Sequence, residues 1–152
     1  MNYIHNNNSE GFTLLEITIV IAIAGILAAI AVPSLVSQLP RYRLSGAARQ
    51  VMGDLMWARM QAVNEKNEFR IFIIDSHRYQ ILDDDDNNGS VGSGEKVQVK
   101  DIRDEYPDVS ISNTTNPIFF PRGSASMGTI TLSNSSGSRK LKIHLTGRVK
   151  MV

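Results

Sequence analysis

Asp84 to Glu95 carries oxygen-bearing side chains at a spacing that suits a hard divalent cation. The segment Asp84-Asp85-Asp86-Asn87-Asn88-Gly89-Ser90-Val91-Gly92-Ser93-Gly94-Glu95 satisfies D-x-[DN]-x-[DN]-G-x5-E at every defined position. The candidate ligands for a structural calcium are therefore Asp84, Asp86, Asn88, the Ser90 carbonyl and a bidentate Glu95. Asp83 to Asp86 places four carboxylates in a row, and a divalent cation would relieve their mutual repulsion. The flanks read as strands, not as the two helices that bracket an EF-hand loop, so a solvated hairpin tip stays open as the alternative. No other cofactor is required.

Beyond Asp108 the chain carries six cations, Arg122, Arg139, Lys140, Lys142, Arg148 and Lys150, and no anion. In Lys140-Leu141-Lys142-Ile143-His144-Leu145 a strand's period of two puts Lys140, Lys142 and His144 on one face and the aliphatics on the other. With Arg148 and Lys150 nearby, that face could neutralise several phosphates of DNA in a salt-sensitive, sequence-independent way. A solvated face that keeps the domain soluble is the other reading of the same residues.

The third chemical feature is a lone carboxylate. Glu16 is the only charge between Gly11 and Arg41, and it opens a stretch that is uncharged for 24 residues, Ile17 to Pro40. About 20 apolar residues suffice to cross a bilayer, and a charge at such depth asks for a partner. Ala29-Ile30-Ala31 also fits the site after which a signal peptidase cuts. Against ordinary signal cleavage stand the absence of Lys or Arg in Met1 to Glu10, the continuation of the run to Leu39, and Glu16 itself. Catalytic parts are missing: the chain has no Cys, no G-x-S-x-G, no phosphate-cradling glycine loop followed by Lys, and no His pair at metal spacing. His5, His77 and His144 read as isolated residues, and no enzyme is expected.

These residues must be held by a small set of elements. After Pro40, apolar residues recur at steps of four and three, Leu44, Ala48, Val51, Leu55, Ala58 and Ala62, which predicts an amphipathic helix over about Tyr42 to Lys66. Pro33 and Pro40 each lack a backbone donor and predict a kink or short break before it. Gly25 and Ala29 form a small-xxx-small pair that would let helices approach closely, and Trp57 is expected to pack the domain. From Phe69 the period becomes two. Strands are expected at 69–74, 78–82, 95–102, 109–112, 118–120, 129–133, 140–146 and 148–152, separated by turns such as Asn87-Asn88-Gly89 and Ser135-Ser136-Gly137. A long helix followed only by strands predicts an α+β domain with an antiparallel β-sheet packed on the helix's apolar stripe.

Gly11-Phe12-Thr13-Leu14-Leu15-Glu16-Ile17-Thr18-Ile19-Val20, with Pro33 beyond, resembles the N-terminal signature of type IV pilins and type II secretion pseudopilins. The resemblance implies a pilin-like fold and four segments: a leader over 1–11, a transmembrane and filament-core helix over 12–40, an amphipathic helix over 41–66 and an antiparallel β domain over 67–152. It also implies cleavage by prepilin peptidase between Gly11 and Phe12 and N-methylation of Phe12. Glu16 would then pair with the Phe12 amine of a neighbouring subunit, offsetting the desolvation of a buried carboxylate.

The implied partners are other pilin or pseudopilin subunits, the peptidase, the inner-membrane assembly machinery, and membrane lipid before assembly. The implied location is the bacterial inner membrane, single-pass with a periplasmic domain, and the pilus or pseudopilus thereafter. The leader departs from the family in lacking Lys or Arg, and Arg41 and Arg43 would favour the opposite orientation by charge alone. Trp57-Ala58-Arg59-Met60-Gln61-Ala62-Val63, the strand straight after it, the acidic Asn/Gly loop and Gly147-Arg148-Val149-Lys150 resemble the GspH/FimT group. Some FimT-type minor pilins bind incoming DNA through a C-terminal GRxR. Here Lys150 replaces its second Arg, keeping the charge and losing the bidentate fork.

Overall fold

The structure, a computed structural model, describes residues 11–152. The expected leader, including His5, lies outside the described residues except for Gly11.

The first element is helix α1 (Leu14–Glu65). Its start is specified locally. The Thr13 hydroxyl accepts from the Glu16 amide at 3.2 Å, and the Thr13 amide and hydroxyl donate to Glu16 Oε2 at 2.9 and 3.0 Å. This reciprocal capping box satisfies donors that every helix start otherwise leaves orphaned. The chain divides into two compact units, one ending at Gln38 and the other Leu39–Val152. In the first unit the helix is long and apolar enough to cross a membrane, and its apolar window has no buried residue.

Of the kink or short break expected at the prolines, the break does not occur, because α1 continues through both Pro33 and Pro40. A proline inside a helix removes a single ladder bond, and long flanking ladders can hold the backbone across that gap. Close by, the Ser37 hydroxyl donates to the Ser34 carbonyl at 2.8 Å.

In the second unit the helix buries Leu44, Ala47, Ala48, Val51, Leu55, Ala58 and Ala62, the expected stripe with Ala47 added. Four of these seven are alanines, which allow close approach of the helix backbone to what it packs on. The helix stops at Lys66, whose φ of 59° is left-handed. The Asn67 amide then closes back on the Ala62 carbonyl at 3.2 Å, a C-terminal motif that usually employs glycine at the left-handed position.

Eight strands follow: β1 (Glu68–Ile73), β2 (Arg78–Asp84), β3 (Val97–Asp101), β4 (Ser110–Asn113), β5 (Ile118–Phe119), β6 (Gly128–Asn134), β7 (Gly137–Ile143) and β8 (Val149–Met151). Every pairing is antiparallel, but the single sheet expected is two. One has the order β3-β2-β1-β5 and the other β4-β6-β7-β8. The chain changes sheets after β3, after β5 and also between β4 and β5. Pro117 has no amide to donate there, and its carbonyl accepts from Ile71 of β1 at 3.0 Å, drawing β5 onto the first sheet. Alternate residues of both sheets, among them Phe69, Ile71, Tyr79, Ile81, Phe119, Ile130, Leu132, Leu141 and Ile143, join the helix stripe in one core. Trp57 meets Phe69 edge-on at 6.2 Å, in the packing role expected of it. Tyr79 is buried and donates its hydroxyl to Asp54 of the helix.

Candidate functional site

The acidic loop links β2 to β3. Asp84 ends β2 fully buried, and its carboxylate accepts from the amides of Asn88 at 3.1 Å and Gly89 at 3.0 Å. Asp86 accepts from Asn88, and Asn88 accepts from the Ser90 amide at 2.6 Å, so the backbone winds around successive side-chain oxygens. Gly89 holds a φ of 77°, and a Cβ there would press on the Arg70 side chain at 3.0 Å. One carboxylate oxygen each from Asp84, Asp86 and Glu95 lies within 4.8 Å of the other two. Glu95 Oε2 takes the Gly92 amide at 2.6 Å, while its Oε1 is buried without a partner among the described residues.

A buried carboxylate oxygen without a donor is costly, and a cation would satisfy it. The donor set therefore fits calcium, with Asp84, Asp86 and Glu95 brought together and Asn88 and Ser90 between them in the loop. Arg70 supplies a competing positive charge, since its guanidinium meets both Asp84 and Glu68. Asp83 belongs elsewhere: its side chain is buried and accepts from Asn67 at 2.7 Å.

The basic residues gather on the second sheet. Lys140 and Lys142 are exposed on β7 and alternate with buried Leu141 and Ile143. Lys150 on β8 lies directly opposite Lys142. His144 and Arg148 are exposed where β7 turns into β8, and the His144 amide donates to the Arg148 carbonyl at 3.0 Å. Among the described residues, no carboxylate lies within ion-pair distance of Lys140, Lys142, Arg148 or Lys150.

The preceding Gly147 has a packing reason of its own. Its φ is 74°, and a Cβ there would lie 2.0 Å from the Gly123 carbonyl oxygen and 2.5 Å from Arg59 Nε. Arg59, reaching from the helix, donates to the carbonyls of Gly123 at 2.9 Å and Thr146 at 3.4 Å. It thereby clamps two turns against α1. Nothing in the local sequence around Arg59 signals carbonyls 64 and 87 residues away.

In the N-terminal unit, Phe12 and every residue from Thr13 to Gln38 are exposed, so Glu16 stands alone on an apolar helix surface. The capping box was legible as Thr13-x-x-Glu16 ahead of an apolar run. Both contacts from Thr13 fall on Oε2, which leaves Oε1 for an amine.

The family model described as type II transport protein GspH matches residues 47–147. The chain belongs to the GspH family. A second model, the prokaryotic N-terminal methylation motif, matches residues 6–32. No curated protein matches the chain by sequence.

Among solved structures, the type IV minor pilin FimU of Pseudomonas aeruginosa is 19% identical over 74% of this chain and 90% of its own, with a TM-score of 0.56. The minor pseudopilin EpsH of the Vibrio cholerae type 2 secretion system is 9% identical over 72% of this chain and 96% of its own, with a TM-score of 0.57. At these identities the likeness establishes a shared pilin-type fold. This GspH-family chain is thus a membrane-anchored structural subunit of pilin or pseudopilin type, and not an enzyme.

Proposed function

We propose that this chain is a minor pilin or pseudopilin, made as an inner-membrane precursor with its β domain outside the cytoplasm. Prepilin peptidase cuts it between Gly11 and Phe12, Phe12 is N-methylated, and the assembly machinery draws α1 out of the lipid into a type IV pilus or type II secretion pseudopilus. Glu16 then accepts the Phe12 amine of a neighbouring subunit. The observation that carries this reading is a lone carboxylate on the exposed apolar N-terminal stretch of α1, with one oxygen left for an amine. Burying it beside a cation offsets desolvation that would otherwise be prohibitive. Mass spectrometry of the mature protein should find N-methyl-Phe12 as its first residue, whereas a chain starting at Val32 would end the proposal. Glu16→Gln should be processed normally and enter filaments at a small fraction of the wild-type level.

A second reading, DNA binding on the same scaffold for DNA uptake, is favoured by Lys140, Lys142, Arg148 and Lys150, which are exposed and, among the described residues, without an ion-pair partner. Four phosphate contacts would make the logarithm of duplex affinity fall against log salt with a slope of about −3.6. Gel shifts across a salt series measure that slope, and the absence of any shift at low salt rejects this reading. A third component is structural. Calcium held by Asp84, Asp86, Asn88, the Ser90 carbonyl and Glu95 would stiffen the β2–β3 connection, which the donor-less Glu95 oxygen supports.

A further inference from the structure

The second sheet has an open edge at β8, and an apolar groove of about 560 Å³ runs beside it. One wall is the helix, with Met56, Met60 and Val63 at steps of four and three. The other is the Gly147–Val149 segment. The three helix side chains are roughly half exposed, at 53%, 53% and 46%, so this strip is unpartnered. Methionines are polarizable and adjust to irregular partners, as docking surfaces require.

Pairing within the sheet determines what the edge offers. Lys140 and Val152 exchange both amide–carbonyl bonds, and His144 bonds to Arg148. Residues 148, 150 and 152 therefore direct their backbone groups toward β7, and Val149 and Met151 direct theirs outward. The charge at the groove is one-signed. Its lining includes Arg59 and Arg148 and no carboxylate. Arg59 is already committed to two carbonyls, while Arg148 is exposed and unpaired among the described residues.

We propose that this groove takes an extended segment of a partner protein, added to β8 as a fifth strand. The segment alternates apolar residues, which lie against Met56, Met60 and Val63, with a carboxylate that pairs with Arg148. Strand addition draws its affinity from main-chain bonds at a free edge and its specificity from pockets for alternate side chains. Open donors and acceptors, an apolar strip at side-chain reach and an unpaired cation all coincide at β8. The arrangement differs from the filament contact assigned to Glu16 and from phosphate binding, which needs no apolar strip.

The test uses the full chain in lipid nanodiscs and a blocked, fluorescently labelled peptide, Val-Glu-Val-Glu-Val, followed by anisotropy. Saturable binding is expected, at least tenfold weaker for the same peptide with alternate backbone nitrogens methylated and for Val-Lys-Val-Lys-Val. Arg148→Glu, an exposed change, should cost the acidic peptide at least tenfold and improve the lysine peptide. Hydrogen exchange should slow at Val149 and Met151 when the acidic peptide is bound. Equal affinity for the methylated peptide, protection of β3 in place of β8, tighter binding by an acidic helical peptide, or no saturation at millimolar peptide would each overturn the proposal. The methylated peptide leaves the protein unaltered, so this arm does not depend on a variant folding.

Discussion

A carboxylate's role here is decided by what its second oxygen meets. Glu16 and Glu95 each give one oxygen to a backbone amide three residues earlier, Thr13 for Glu16 and Gly92 for Glu95. The remaining oxygen of Glu16 lies on an exposed helix surface, and that of Glu95 is buried without a donor. Only the second already bears a desolvation cost in the isolated subunit, and a calcium ion would remove that cost. Calcium at about a hundred times its Kd should add about 2.7 kcal/mol to stability, read as a rise in Tm of several degrees. Glu95→Gln should abolish most of that rise, since the bidentate acid at this position closes the site. Equal Tm with calcium and with chelator in the wild-type chain would show instead that Arg70 alone neutralises Asp84.

At the scale of elements, the helix stripe and the strands were legible because both rest on local periodicity. Leu44, Val51 and Leu55 could be assigned to the core before any partner was known, and each of the eight strands falls within three residues of its expected start. The division into two sheets was not legible. It depends on which strand Pro117 and its neighbours pair with, a choice made by β1 far earlier in the chain. The continuity of α1 through Pro33 and Pro40 was hidden for a related reason, since a proline signals a missing bond and not how much ladder stands on either side.

Of the candidate sites, the calcium ligands were readable as spacing. The orphan oxygen on Glu95 and the Arg59 clamp needed three dimensions. Helix termination offers a clean test at this scale. Lys66 sits at φ 59°, a conformation costing a residue with a Cβ about 1–2 kcal/mol, part of which glycine gives back through its freer unfolded state. Lys66→Gly should stabilise the chain by about 0.5–1 kcal/mol and Lys66→Val should destabilise it, as thermal melts would show. The reverse order would mean that the Lys66 side chain contributes more than its backbone costs.

For the whole molecule, the decisive fact is that, among the described residues, every buried hydrophobic residue lies between Leu44 and Val149. The described part of the apolar helix up to Gln38 contributes none of the core, and its side chains are left exposed for association with other subunits. Folding and assembly are therefore separable in this chain: the sheets and the later part of α1 supply stability, and the earlier part supplies association. A chain starting at Leu39 should fold alone. The cut would place Pro40 in the first turn of the shortened helix, where a missing amide costs nothing and a fixed φ favours helix initiation. With no cysteine in the chain, refolding cannot be limited by disulfide pairing. The expected result is a soluble protein with a single cooperative melt and an unfolding enthalpy of about 80 kcal/mol, the scale for a domain of this length. Its Tm should lie within a few degrees of the full chain's value in detergent. Loss of the cooperative transition would show that residues before Leu39 stabilise the domain, and the apolar helix would then have a folding role besides its part in assembly.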